Sequence, residues 1–142
     1  MNCDERFSKA LHMTARQWRA ALDRRLRDLG MSEAAWMTIA AAAKSTPAPS
    51  QSELAQMLAV EPASMVAMID RLTRLGFVER VPSPSDRRVK HIAVTAAGQA
   101  VYERIHQEAT VFRAETLSRI DPQKLAVATE VIEQLQLIIA DA

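Results

Sequence analysis

The sequence predicts a mainly α-helical chain of the α+β class, with one small β-hairpin. Three observations carry this. Ala, Leu, Met and Arg dominate a chain with only 3 Gly and 4% aromatic residues, which favours helix. Apolar residues recur at helical spacing in the long segments at both ends. Between them, residues 50–94 read as two short helices, a strand, a Pro/Ser/Asp/Arg loop and a second strand. A length of 142 residues is one domain's worth, and 49% hydrophobic residues are enough for a real core.

The first helix is expected over 5–29. Phe7, Leu11, Met13, Trp18, Leu22, Leu26 and Leu29 form its apolar stripe, and Gly30 is a natural stop. Such a helix is about 37 Å long at 1.5 Å per residue. It is too long to bury its stripe within one small lobe, so another long helix or another copy of the chain must meet it. Ser32 caps the second helix and Glu33 lies in its first turn, where the dipole favours a negative charge. Trp36, Ile39 and Ala40 to Ala43 carry it to about Thr46, and Pro47-Ala48-Pro49 breaks it. Ser50 and Glu53 have capping-box spacing and open a third helix with Leu54, Met57 and Leu58 on its apolar side. A turn at Ala59-Val60-Glu61 follows.

Pro62 suits the first position of the fourth helix. At 100° per residue, Met65, Met68, Ile69, Leu72 and Leu75 share the core side. Ala63, Val66, Ala67, Asp70 and Arg74 lie opposite, with Ser64 and Arg71 on a flank. The outward face begins small and smooth and then becomes charged. Gly76 ends the helix. Strands are expected over 77–81 and 90–94, joined by a projecting loop with Asp86, Arg87 and Arg88 near its tip. Thr95 caps a long helix over about 96–119. Asp121 and Pro122 open a last, strongly apolar helix to about Ala140. Two short helices followed by an arginine-tipped hairpin are the parts of a winged helix-turn-helix. The long helices around it carry more apolar surface than a monomer can cover, which predicts a helical dimer interface.

Charge and motifs narrow the function. The net charge is only +1, but residues 71–91 carry six Arg/Lys against two acids, and 121–142 carry one Lys against four acids. A local basic patch on a near-neutral chain fits contact with one polyanion. Small residues at the start of the fourth helix allow close approach in a major groove, and the arginines further along suit phosphates. Two adjacent arginines on a projecting tip suit a narrow minor groove. No Gly-rich phosphate loop, G-x-S-x-G or Cys/His arrangement calls for catalysis, so no enzyme and no cofactor is expected. His12, His91 and His106 lack ligand spacing to the single Cys3, so no metal is expected. With one cysteine, no apolar run of membrane-spanning length and no signal-peptide core, the sequence suggests a cytoplasmic location.

The stretch QSELAQMLAVEPASMVAMIDRLTRLGFVERVPSPSDRRVKHIAVTAAG resembles the MarR/SlyA family of bacterial transcription regulators. The D-R-R tip followed by a T-x-x-G helix start is the most specific part, and the flanking helices match in length and place. The resemblance implies a single domain over 1–142. Its DNA-binding lobe would span 32–95, with dimerisation helices at 1–30 and 96–142. It implies a homodimeric repressor on double-stranded DNA with a pseudo-palindromic operator, released by a small aromatic carboxylate or phenolic ligand. Carried over by residue, Pro62, Ala63, Ser64, Val66 and Ala67 face bases. Arg71 and Arg74 lie near phosphates, Asp86, Arg87 and Arg88 form the wing, and Arg88 enters the minor groove. Asp70 and Asp86 brace arginines by ion pairing, and Ser50 and Gln51 contact the backbone.

Many family members carry Ser/Thr and Arg where this chain has Val66 and Ala67. Bidentate Arg–guanine readout from position 67 is therefore lost, and more reliance on shape is expected. Ligand-pocket candidates are His12 and Arg16, one turn apart on a helix face, with Trp36 and Met37. A peroxide-sensing role for Cys3 has little support, because Tyr102 is the only tyrosine. The competing class is a winged-helix protein–protein module. That would favour apolar residues at the tip where Arg87 and Arg88 stand.

Overall fold

The computed structural model describes residues 1–142. The helices are α1 (Cys3–Arg25), α2 (Glu33–Lys44), α3 (Gln51–Met57), α4 (Pro62–Arg74), α5 (Ala96–Leu117) and α6 (Pro122–Ala140). The strands are β1 (Val78–Pro82) and β2 (Lys90–Val94). Met1–Glu108 and Ala109–Ala142 are two compact units, and α5 passes from one into the other.

The first unit holds the winged lobe. Its core is Ala35, Ile39 and Ala42 of α2, Leu54 and Ala55 of α3, Met65, Ile69 and Leu72 of α4, Val78 of β1 and Ile92 of β2. Ile39, Leu54, Ile69, Leu72 and Ile92 are fully buried. Each buried aliphatic side chain of this kind contributes about 2 kcal/mol of transfer free energy. The buried alanines of α2 let it pack closely on α3 and β2. Trp36 is buried too, and its indole N–H donates to Asp23 Oδ1 at 2.9 Å, which ties α2 to α1.

The expected caps are present. Ser32 accepts from the Ala35 N–H, and Ser50 and Glu53 form a reciprocal capping box. Asp121 accepts from the Gln123 N–H, with Pro122 opening α6. Asn2 and Glu5 add a capping box, so Cys3 begins a capped α1 and is exposed.

Several boundaries differ from the sequence reading. The first helix stops at Arg25. Residues 27–29 tighten into a 3-10 turn closed by Gly30 at φ 65°, a common way to satisfy last-turn carbonyls. Leu75 is 56% exposed rather than core, because the helix ends there and Phe77 turns inward in its place. Met57 is also exposed, since so short a helix buries only Leu54 and Ala55, with Leu58 packed beside them. β1 begins one residue later than expected. Phe77 N–H bonds Leu72 O and Gly76 N–H bonds Thr73 O, so Phe77 completes the helix cap. Pro82 closes β1 opposite Lys90, on an outer strand where its missing N–H interrupts no ladder.

β1 and β2 pair antiparallel, with Val78 opposite Val94 and Arg80 opposite Ile92. β2 has a second neighbour that the sequence did not disclose. Ile92 N–H donates to Pro49 O at 2.7 Å and His91 bridges Ser50, so the entry to α3 lies along the wing.

About the first four turns of α1 bury no residue. Residues 1–17 are exposed, including Phe7, Leu11 and Met13. In the second unit α6 buries no residue, and Val127, Val131, Leu137, Ile138 and Ile139 are exposed. No helix is long and apolar enough to cross a membrane.

The T-x-x-G start of α5 has a steric reason. Thr95 Oγ1 donates to Gly76 O at 2.6 Å and accepts from Gly98 N–H, while Thr95 N–H donates to Phe77 O. A Cβ on Gly98 would lie 2.1 Å from Phe77 O, a backbone atom that cannot swing away. Gly98→Ala is therefore expected to destabilise the protein by about 3 kcal/mol, at the upper end for overpacking. A urea titration followed by circular dichroism checks this. An unchanged midpoint would mean that α5 can shift off the wing without cost.

Candidate nucleic-acid interface

The interface is built from α4 upward. Two helix caps of the same design set its ends. At the α3–α4 turn, Val60 N–H bonds Ala55 O and Ala59 N–H bonds Gln56 O, with Ala59 in the left-handed region at φ 53°. At the far end Gly76 does the same at φ 83°. Between them, Met65, Ile69 and Leu72 are buried and Met68 is half-buried. The opposite face is open: Pro62, Ala63, Ser64, Val66, Ala67, Arg71 and Arg74 are all exposed. Every α4 residue singled out from the sequence as base- or phosphate-facing thus stands free on one element.

The wing tip is local in origin. Ser83 N–H donates to Val89 O and Val89 N–H to Asp86 O, closing the loop. Asp86 accepts from the Arg88 backbone N–H at 3.0 Å, from Arg88 Nε at 3.2 Å and from Nη2 at 3.3 Å. Arg88 is held at its root while its side chain stays 91% exposed. These bonds hold the Asp86 carboxyl below its ordinary pKa. Arg87 is exposed beside it.

Bracing of an arginine by Asp70 occurs, but with a partner the sequence reading did not single out. Asp70 Oδ1 accepts from Arg80 Nη2 at 2.7 Å, and the same nitrogen donates to Gln51 Oε1 at 3.2 Å. Arg80 sits two residues after the buried Val78 in β1, so strand alternation turns it toward the helices. A cation at an inward strand position must find partners. That signal was present in the sequence. Ser50, Gln51, Ser52, Arg80, Arg88 and Lys90 share a polar hollow of about 420 Å³ with Val66 and Val89. Lys90 is the other lining cation that sequence reasoning missed.

The four ligand candidates do not converge. Trp36 is buried with its N–H satisfied by Asp23, so it is part of the core. Arg16 lines a shallow hollow on α1 with Met13, Gln17 and Ala20, and His12 is exposed outside it. Only Met37 reaches a larger cavity, of about 610 Å³. Helical spacing put these side chains on neighbouring faces, but α1 and α2 meet through Asp23 and Trp36, which removes Trp36 from any surface. The larger cavity lies between α2, the α3–α4 turn and the inner edge of α4. Met37, Leu58, Val60, Met65 and Met68 are the larger apolar side chains of its wall. At its rim Arg19 pairs with Glu33 at 3.3 Å.

A family model described as the MarR family matches residues 38–90, the span from α2 to the start of β2. The crystal structure of the transcriptional regulator PA3341 is 34% identical. It superposes with a TM-score of 0.90 over 96% of this chain and 99% of that one. The chain belongs to the MarR family. Solved structures of lower identity share the fold. FabT from Streptococcus pneumoniae, solved in complex with DNA, is 21% identical with a TM-score of 0.80, covering 96% of this chain and 97% of its own. CouR from Rhodococcus jostii RHA1, bound to p-coumaroyl-CoA, is 22% identical with a TM-score of 0.80, covering 93% and 90%. The MarR family is one of transcription regulators, so this chain is a MarR-family transcriptional regulator.

The Asp86–Arg88 contact makes a pH prediction. A depressed carboxylate keeps its ion pair above its ordinary pKa and loses it only as pH falls through the lowered folded value. Carboxyl-carbon NMR should show Asp86 titrating below the normal aspartate range. In Arg88→Ala it should move up toward that range, with the backbone N–H of residue 88 keeping part of the depression, and no change on substitution would remove the side-chain brace.

Proposed function

We propose that this protein is a sequence-specific DNA-binding repressor. It acts as a homodimer on a pseudo-palindromic operator and is released by a small aromatic carboxylate or phenol. The observation that carries the reading is the open face of α4 beside an arginine-tipped wing. Pro62, Ala63, Ser64, Val66 and Ala67 offer a smooth surface for base edges. Arg71 and Arg74 suit phosphates, and Ser50 and Gln51 flank them at the start of α3. Val66 can meet a thymine methyl, while Ala67 has no group for bidentate guanine readout. Specificity then leans on DNA shape, read in the minor groove by Arg87 and by an Arg88 that Asp86 holds outward. The DNA complex of FabT, a protein of the same fold, supports the assignment.

The domain reading follows the same logic. Residues 32–95 form the DNA-binding lobe, and 1–30 with 96–142 serve dimerisation within one MarR-type domain. The exposed apolar residues of α1 and of α6 support it, since such surfaces are stable in water only when covered. A homodimer would present two recognition helices to half-sites about 34 Å apart, one turn of duplex.

The ligand belongs in the cavity beside α4, which takes in Met37 but not His12, Arg16 or Trp36. Its volume is in the range of small-molecule sites, its wall is rich in adaptable methionine, and the Arg19–Glu33 pair stands at the rim. Met65 and Met68 form part of the wall, so an occupant presses on the recognition helix from behind. An occupant that fits the DNA-free arrangement better must weaken DNA binding by the same factor. CouR, a protein of the same fold, is solved with p-coumaroyl-CoA, a larger thioester whose acyl group carries a phenol.

The second reading is a protein–protein winged-helix module. The exposed Arg87 and Arg88 at the tip speak for DNA instead. Fluorescence anisotropy on duplexes recovered from its genome by selection, with scrambled controls over a salt series, tests the choice. Preferential binding to the selected duplexes is expected, with log affinity falling steeply against log salt. Benzoate or phenol at millimolar concentration should weaken it and raise the melting temperature. Equal, weak binding to both duplexes with a flat salt response would favour the protein-binding module. Analytical ultracentrifugation should give a dimer, and Leu137→Glu with Ile138→Glu should yield monomer.

A further inference from the structure

We infer that Arg80 is a phosphate clamp, one that seats a single backbone phosphate of duplex DNA between α3, α4 and the wing. The inference rests on the DNA-binding reading and assigns a role to residues outside the recognition helix and the wing tip. Both hydrogen bonds of Arg80 use Nη2, one to Asp70 Oδ1 and one to Gln51 Oε1. A guanidinium carries five N–H donors in a rigid fork. Fixing Nη2 on two partners leaves the Nε and Nη1 donors oriented but unspent. The side chain is 30% exposed, so the head is neither sealed in the core nor free to wander.

The hollow it lines is chemically biased. Its polar wall carries three cations, Arg80, Arg88 and Lys90, and the hydroxyls of Ser50 and Ser52. None of these lining residues is acidic. Asp70 is committed to Arg80, and Asp86 to Arg88. A backbone phosphodiester, a tetrahedral monoanion with several acceptor oxygens, meets such donors, whereas an apolar group does not. The hollow opens beside Val66, on the outward face of α4. A strand lying against that face places its phosphate here.

Arg80 is therefore a positioning residue as well as a contact. Because Asp70 lies on α4 and Gln51 on α3, one guanidinium fixes the register of both helices against the wing. The phosphate then reads that register.

The test is the salt dependence of binding to a labelled duplex for wild type, Arg80→Gln, Arg80→Lys and Asp70→Asn. Arg80→Gln should weaken binding roughly tenfold at physiological salt, equally on selected and scrambled duplexes. It should also lower the slope of log K against log salt by about 1. Arg80→Lys should keep the slope yet lose affinity, since an ammonium cannot hold Asp70, Gln51 and a phosphate together. Asp70→Asn should likewise keep the slope. If Arg80→Gln lowers the melting temperature but leaves the slope unchanged, Arg80 is merely structural and the clamp is overturned. Nitrogen-15 NMR of the Arg80 Nε–H in the wild type gives a readout that needs no folded variant. Slowed exchange on adding duplex supports the clamp, and an unmoved resonance overturns it. If the wild type binds no duplex at all, the regulator reading fails and this inference with it.

Discussion

The lobe depends on how β2 is held. Ile92 is fully buried, its residue faces Arg80 across the ladder, and its N–H reaches back to Pro49. One strand thus touches both the outgoing hairpin and the entry to α3. Without that double attachment the hairpin would be an isolated two-stranded ribbon, which is marginal in water. With it, the wing is part of the core and its tip has a defined position relative to α4. The same segment passes directly into Thr95, whose hydroxyl and N–H fix the start of α5 on Gly76 and Phe77.

Around this strand the backbone does most of the positioning. The 6→1 cap at Phe77 ends α4 by turning an aromatic ring inward, and the matching cap at Val60 begins it by reversing the chain after α3. Both caps need a left-handed residue. Glycine supplies it at position 76, whereas position 59 uses alanine, at a cost of about 1 kcal/mol. The tight turn this produces brings Leu58, Ala59 and Val60 against the cavity behind α4. Helix α4 is therefore firmly seated along Met65, Ile69 and Leu72, with the cavity bordering it at Ser64, Met65 and Met68.

Charge completes the arrangement by organising cations before any partner arrives. Asp70 and Asp86 each hold one arginine, at the base and at the tip of the wing. Such exposed pairs contribute little to folding. Their value is directional, because a guanidinium already aimed loses less freedom on meeting an anion. A second network lies away from that surface: Arg104 of α5 bonds Asp28 and Glu108, and Arg25 also reaches Glu108. It joins the end of α1 to α5 within the first unit.

By itself the sequence determined the number and order of helices, the caps at Ser32, Ser50, Thr95 and Asp121, and the open face of α4. These follow from neighbours three or four residues apart, and short-range spacing is what a sequence displays. It also located the wing and the excess apolar surface of the terminal helices. Tertiary structure alone decided which distant groups meet. Pro49 with Ile92, Asp23 with Trp36, and Arg80 with Asp70 and Gln51 are all separated by ten residues or more. No periodicity encodes such pairings. For that reason Arg80 and Lys90 went unnoticed beside the conspicuous Arg87 and Arg88. Trp36 looked available on its helix until the packing of α1 showed it buried. Local patterns fix which face a residue occupies; only the packed chain fixes what that face meets.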